Sequence, residues 1–182
     1  NHAHSDLSQK GTLITGSLAT ELDVEIAHPS PVAELTVVGQ AISKKPRITL
    51  EMMEKTEAQT PLLGMSMNTN SVILYISQRK NIDTLFNQIH TIILDNAETI
   101  AMAVKKDLAL LKTSGVGLEE THGIIGKISE TLRLNQINIY GILTITSSIL
   151  LFVEWSQREK ALQLIRSSLR ENNPNQKRSE KP

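Results

Sequence analysis

Residues 112–154, KTSGVGLEETHGIIGKISETLRLNQINIYGILTITSSILLFVE, carry three patterns in succession. A glycine-bearing loop, Gly115-Val-Gly117, comes first. Apolar residues then recur at Ile125, Ile128 and Leu132, the three-then-four spacing that lines one face of a helix. Such a face needs a sheet to cover. Ile137, Ile139, Gly141, Leu143 and Ile145 alternate with Asn138, Tyr140, Ile142, Thr144 and Thr146, and Ile149–Val153 is a continuous β-prone run. With Leu108–Leu111 in front, the stretch reads β-α-β-β.

Working outward, the same order precedes it. Leu22–Ile26 alternates apolar and acidic residues as a strand with one wet face, and Pro29 and Pro31 end it. Glu34–Val38 is a second strand, followed by a helix from Pro46 to about Gln59, since proline pre-sets a first helical turn and Pro61 stops the pattern. Leu62–Met67 and Val72–Ile76 form a hairpin around Asn68-Thr-Asn70. Ile82, Leu85, Phe86, Ile89, Ile92 and Ile93 trace an amphipathic helix, and Ile100, Met102 and Val104 a strand after it. A final helix, from about Gln157 to Leu169, follows the second β-α-β-β. The chain is thus an internal repeat with a period of about seventy residues. The second unit lacks a last strand, and Leu22–Ile26 is expected to supply it. Arg170–Pro182 holds no apolar residue to bury, a composition expected of a disordered tail.

The order of the loop GVGLEETHGIIGKI, the helix, Ile137-Asn138-Ile139 and the Thr146-Ser147-Ser148 turn resembles an ACT domain, the small βαββαβ module that binds amino acids. Within that family it is most similar to the regulatory half of aspartokinase. There the loop usually ends in Pro-Gly where this chain has His122-Gly123, and an Asn-Ile pair follows the helix, as Asn138-Ile139 does here. The resemblance implies an α+β fold of two ferredoxin-like ACT domains in tandem, the first inserted into the second. It implies residues 1–20 as a linker following a kinase domain, because a Gly-Thr-Leu-Ile segment like Gly11–Ile14 marks that junction in aspartokinases. Residues 21–32 then complete the second ACT domain, with the first at 33–105, the second at 106–169 and the tail at 170–182. The kinase domain is expected upstream or on another chain.

Composition excludes other classes. The chain has 182 residues, with 19 basic against 19 acidic, which removes the electrostatic footprint of a general nucleic-acid or membrane-surface binder. An RNA-binding βαββαβ module stacks bases on aromatic residues, and aromatics are 3% here. Zero cysteines exclude thiolate metal sites and disulfides and agree with a reducing, cytoplasmic setting. No apolar run approaches the roughly 18 residues of a transmembrane helix. His2 and His4 share a metal-compatible spacing but have no third ligand nearby, and His28 and His90 read as structural. No catalytic motif is present, and no cofactor or metal is expected.

The expected effector site is the loop and helix start at Leu118, Glu119, Glu120, Thr121, His122, Gly123, Ile124 and Ile125, together with Asn138 and Ile139. Helix-start amides attract a carboxylate, and a strand edge and Asn138 offer oxygens to an ammonium group. Glu119 or Glu120 would answer a basic side chain. In the first unit, Ser43, Lys45 and Arg47 occupy the corresponding loop, with Arg47 where the family has glycine and Thr60-Pro-Leu-Leu63 where it has an Asn-Ile-Asp-like segment. The resemblance implies lysine or threonine as effector and a homodimer built through ACT units. A pair of ACT units that only holds subunits together is the alternative. Leu150, Phe152 and Ile142 are expected to need cover from a second copy, since a four-stranded sheet with helices on one side leaves its other face bare.

Overall fold

The computed structural model describes residues 22–96, 99–115, 118, 123–145 and 147–171. The elements begin with β1 (Leu22–Ile26), β2 (Val32–Gly39), α1 (Pro46–Glu57), β3 (Leu62–Met67), β4 (Ser71–Ser77) and α2 (Ile82–Leu94). They continue with β5 (Thr99–Gly115), α3 (Ile124–Leu134), β6 (Gly141–Ile145), β7 (Ser148–Glu154) and α4 (Arg158–Glu171).

Sequence periodicity separates Ile100–Val104 from Leu108–Leu111, but the structure joins them in β5, a single strand of 17 residues. The polar Lys105-Lys106-Asp107 looks like a loop because it breaks the alternation. Structurally it is a bulge. Glu34 of β2 lies opposite Lys105, and Val32 lies opposite Leu108, so β5 carries one extra residue there. Asp107 takes up the irregularity at φ 59, a left-handed backbone that aspartate tolerates better than most residues. The extra residue inverts the facing of side chains beyond it.

β5 organises a seven-stranded antiparallel sheet with the order β3-β4-β2-β5-β7-β6, and β1 also pairs with β5. β2 takes Thr99–Leu108, whereas β1 takes Leu111–Gly115 and β7 takes Leu108–Ser114. On either half of β5 the strands therefore follow one order: β3-β4-β2-β5 in the first half, β6-β7-β5-β1 in the second. The spare N-terminal strand lies in the second half.

Alternation fixes the cores. Ala33, Leu35, Val37, Val72, Leu74 and Ile76 meet Ile48 and Met52 of α1 and the apolar stripe Ile82–Ile93 of α2. Val24, Ala109, Leu111, Ile149, Leu151 and Val153 meet Ile124, Ile128 and Leu132 of α3 and Ala161, Leu162, Ile165 and Leu169 of α4. The α3 stripe starts at Ile124, not Ile125, which is 37% exposed. A third cluster gathers Val32, Tyr75, Leu108, Leu110, Leu150 and Phe152, with Leu63, Ile73, Tyr140 and Leu143 around it. This cluster corrects the expectation of bare sheet faces. Leu150 and Phe152 are 7% and 0% exposed, and Ile142 packs half-buried against the α3–α4 core. The two halves cover each other's open faces.

The strand expected over Ile137–Thr146 is shortened to β6, and Asn138-Ile139 lie before its ladder. The cause is the end of α3. Ile137 N–H donates to Leu132 O (3.0 Å) and Gln136 N–H to Arg133 O (3.1 Å), the paired bonds of a Schellman motif, with Gln136 at φ 59. Ile137 and Leu132 make the accompanying apolar contact, both buried in one core. At the other end of the chain, α4 extends through Glu171, two residues past where composition places the tail. Lys127 meets Glu171 there at 3.6 Å.

Glycine is the usual residue at the position of Gln136, because a β-carbon is strained in the left-handed region. Gln136→Gly is expected to raise stability by roughly 0.5–1 kcal/mol, after the entropy that glycine adds to the unfolded chain. Thermal unfolding should show a gain of about 1–4 °C.

Candidate functional site

The loop-to-helix junction before α3 starts from the backbone. Gly123 is the residue before the helix, at φ 76, and no side chain caps the first turn. The first intrahelical bond runs from Lys127 N–H to Gly123 O at 3.0 Å, so the amides of Ile124, Ile125 and Gly126 precede it. These amides and the positive helix end favour an anion. A β-carbon at Gly123 or Gly126 would meet nothing within 4 Å, so the approach to this turn is open among the described residues.

The residues expected at this site divide. Leu118 and Ile124 are buried in the core under α3 and α4 and act as packing residues there. Ile125 is partly exposed beside the open turn. Glu119, Glu120, Thr121 and His122 lie outside the described residues. Asn138 is exposed and Ile139 half-buried, both just beyond the C-terminal end of α3. A helix of 11 residues separates the two ends by roughly 16 Å. A single chain therefore does not place Gly123 and Asn138 in one cleft.

In the first half, Ser43 is tied to the hairpin turn between β3 and β4. Its hydroxyl donates to Thr69 O at 3.4 Å, while Ala41 N–H donates to Asn70 Oδ1 at 3.0 Å. Asn68 Oδ1 in turn accepts from Asn70 N–H and Ser71 N–H, at 3.0 and 2.9 Å, which is the asparagine-built turn that the sequence signals. Lys45 precedes α1 and Pro46 opens it. Arg47 separates from this group. It lines a cleft of about 320 Å³ with Ile48, Glu51, Ile92, Asp95 and Asn96, between the start of α1 and the end of α2. One guanidinium and two carboxylates make this a mainly polar cleft beside Ile48 and Ile92, and among the described residues none of the three forms an ion pair. Glu51, Asp95 and Asn96 carry no signal in sequence, because only helix packing brings Glu51 and Asp95 together.

His28 and His90 differ. His28 Nε2 lies 2.9 Å from Ser77 Oγ, and burial, followed by the charge of Arg79, holds its pKa below the usual value. It is therefore a neutral ring held in place at the linker between β1 and β2. His90 is exposed on α2. Among the described residues no three His, Cys, Asp or Glu side chains are grouped to hold a metal ion, and no helix is long and apolar enough to cross a membrane.

Solved structures share this fold. The aspartate kinase of Clostridium acetobutylicum matches with a TM-score of 0.66 at 19% identity, over 81% of this chain and 34% of that one. The regulatory subunit of aspartate kinase from Thermus flavus matches with 0.65 at 14% identity, over 83% of this chain and 98% of the subunit. E. coli aspartokinase III in complex with lysine and aspartate matches with 0.55 at 18% identity, over 81% and 32%. No family model and no curated protein matches the sequence. The described residues have an ACT-type α+β fold with an antiparallel sheet. More narrowly, it is the fold of the regulatory subunits of aspartokinase, and the chain spans about a third of the Clostridium enzyme's length.

The two glycines at the start of α3 should respond oppositely to alanine. Gly123→Ala places a side chain at φ 76 and is expected to cost about 1 kcal/mol. Gly126→Ala, inside the helix with open space around it, should gain roughly 0.5–1 kcal/mol. Denaturant unfolding of both variants measures the two shifts.

Proposed function

We propose that this chain is the regulatory part of an aspartokinase, binding a free amino acid and controlling the phosphorylation of aspartate by a kinase domain that lies upstream or on another chain. The observation that carries the reading is the strand order repeated on both halves of β5, in a fold that covers 98% of the Thermus flavus regulatory subunit. In this reading residues 33–105 form one ACT domain and 106–169 the other. Residues 21–32 supply the last strand of the second, and residues 1–20 link it to the kinase.

The effector we propose is lysine or threonine. Its carboxylate meets the amides of Ile124, Ile125 and Gly126. Glu119 or Glu120 answers a basic side chain, which favours lysine; the E. coli enzyme matched above holds lysine and aspartate. Because Asn138 and Ile139 sit at the far end of α3, the groups that meet the ammonium come from a second copy, and the active assembly is a homodimer through ACT units. The Arg47 cleft is the first half's counterpart. Its single cation and two acids complement a lysine zwitterion, which carries a single anionic and two cationic groups.

Calorimetric titration with lysine and with threonine should give saturable heat at a dissociation constant on the order of 0.1–1 mM, which corresponds to about 4–5.5 kcal/mol. Asn138→Ala should weaken it several-fold while leaving the fold intact. If neither amino acid gives heat or raises the melting temperature, the chain is a structural module that only joins subunits.

A further inference from the structure

The seam between the two half-sheets holds polar groups that neither the fold nor the effector reading uses. Its apolar part is tight. Tyr75 of β4 stacks on Phe152 of β7 with ring centroids 3.8 Å apart and planes 7° from parallel. A β-carbon at Gly141 would overlap the Tyr75 hydroxyl, and one at Gly64 would stand 2.9 Å from Leu143 Cδ1. Glycine at both places lets the halves approach.

Glu34 of β2 lies in this seam. Its ladder neighbours are Tyr75 on one side and Lys105 on the other. Yet Lys105 Nζ goes to Glu154 Oε1 at 2.7 Å, above the Tyr140 ring at 5.0 Å, while the Tyr140 hydroxyl donates to the same Glu154 oxygen at 2.7 Å. Among the described residues, Glu34 Oε2 is buried with no hydrogen-bond partner. A half-buried carboxylate with one oxygen unpartnered, opposite a cation that is bound to another acid, is a poor arrangement in its charged form.

We propose that Lys105 is a two-position latch on this seam: paired with Glu154 and Tyr140 it joins the halves while Glu34 is protonated, and when Glu34 ionises it draws the ammonium to itself and the seam loosens. The groups beside Glu34 are Thr36 on its own strand, Tyr75 on β4 and Lys105 opposite it on β5, and Lys105 in turn reaches Glu154 and Tyr140 of the second half. Asp107 stands in the bulge, bound to Gln78 at 2.9 Å, and His28, with the charge of Arg79 acting on it, is bonded to Ser77, the last residue of β4 and two residues beyond Tyr75.

The titrations of the seam run in opposite senses. Burial raises the Glu34 carboxyl above its usual value, a rise that the hydroxyls of Tyr75 and Thr36 nearby oppose. The stability that a raised acid gives the closed seam is complete below its ordinary pKa and is lost as pH rises through the raised one. The Lys105 hydrogen bond, with Tyr140 next, lowers Glu154. Its contribution is present above the ordinary carboxylate range and is lost as pH falls through the lowered value. The seam is thus firmest in the mildly acidic window between the two titrations. His28, with its lowered pKa, opposes the native linker as pH falls, so a variant at Glu34 is needed to isolate the latch.

Amide hydrogen exchange of β4 and β7, corrected for intrinsic rates, reads the seam, and Trp155, the chain's only tryptophan and next to Glu154, gives a second signal. In the wild-type chain, protection should fall several-fold as pH rises through the Glu34 titration. Glu34→Gln should abolish that fall. Glu154→Gln frees Lys105 to reach Glu34, so the Glu34 carboxyl, followed by carbon-13 NMR, should titrate at lower pH than in the wild type. Identical exchange profiles for wild type and Glu34→Gln overturn the latch. If Glu34→Gln does not fold, an unchanged Glu34 titration in Glu154→Gln overturns it instead. The proposal concerns the chain alone and holds or fails independently of effector binding.

Discussion

Because side chains alternate along a strand, β5 can serve two sheets only if its facing is reset between them. Before the bulge, Val104 and Met102 lie opposite Leu35 and Val37, which face α1 and α2, while Lys105 faces the seam. After it, Ala109 and Leu111 face α3 and α4, while Leu108 and Leu110 face the seam. The parity has changed by one. Without the extra residue at Lys105–Asp107, Leu108 and Leu110 would turn toward α3 and α4, and Ala109 and Leu111 toward the seam. The Gln78–Asp107 pair secures the reset from both directions: Gln78 Nε2 donates to Asp107 Oδ1 at 2.9 Å and Asp107 N–H donates to Gln78 Oε1 at 2.8 Å.

That reset is what lets the two open faces meet. An antiparallel sheet covered on one side by helices usually meets water, a ligand or a second protein on its other side. Here the rings of Tyr75 and Phe152 and the leucines 108, 110 and 150 close on each other within one chain. Aromatic stacking adds roughly 0.5–1.5 kcal/mol to what burial of the rings contributes. The polar groups in the same seam are the more expensive part, since burial raises both the Glu34 carboxyl and the Tyr75 phenol. Apolar packing therefore holds the halves together, and the acid and lysine decide at what pH they are held most firmly.

The elements with strong local periodicity were legible in the sequence. The α2 stripe from Ile82 to Ile93, the Asn68–Asn70 hairpin and the proline at the start of α1 all depend on neighbours within one turn or one strand. What was not legible depended on distant neighbours. Lys105-Lys106-Asp107 looks polar enough for a loop, and only the pairing of Lys105 with β2 before it and of Leu108 with β2 and β7 after it carries the strand through. Ile137–Ile139 continue the alternation of β6, but the closing turn of α3 holds Ile137 as a core plug. Leu118 showed the same confusion in reverse: placed beside a glycine loop it reads as a ligand contact, and its side chain is core.

The α3 helix itself limits what the proposed effector site can be. Both its ends turn on a left-handed residue, Gly123 at φ 76 before the first turn and Gln136 at φ 59 after the last. Among the described residues nothing caps the amides of the first end, where an anion is favoured. The second uses its carbonyls internally, in the bonds to Gln136 and Ile137, and has none of the same character to offer. Asn138 belongs to that second end. A free amino acid is shorter than the helix, so in one chain it can answer the amide end or Asn138, but not both. If the molecule senses an amino acid through both groups, it must do so between two copies, which couples ligand binding to assembly through mass action alone.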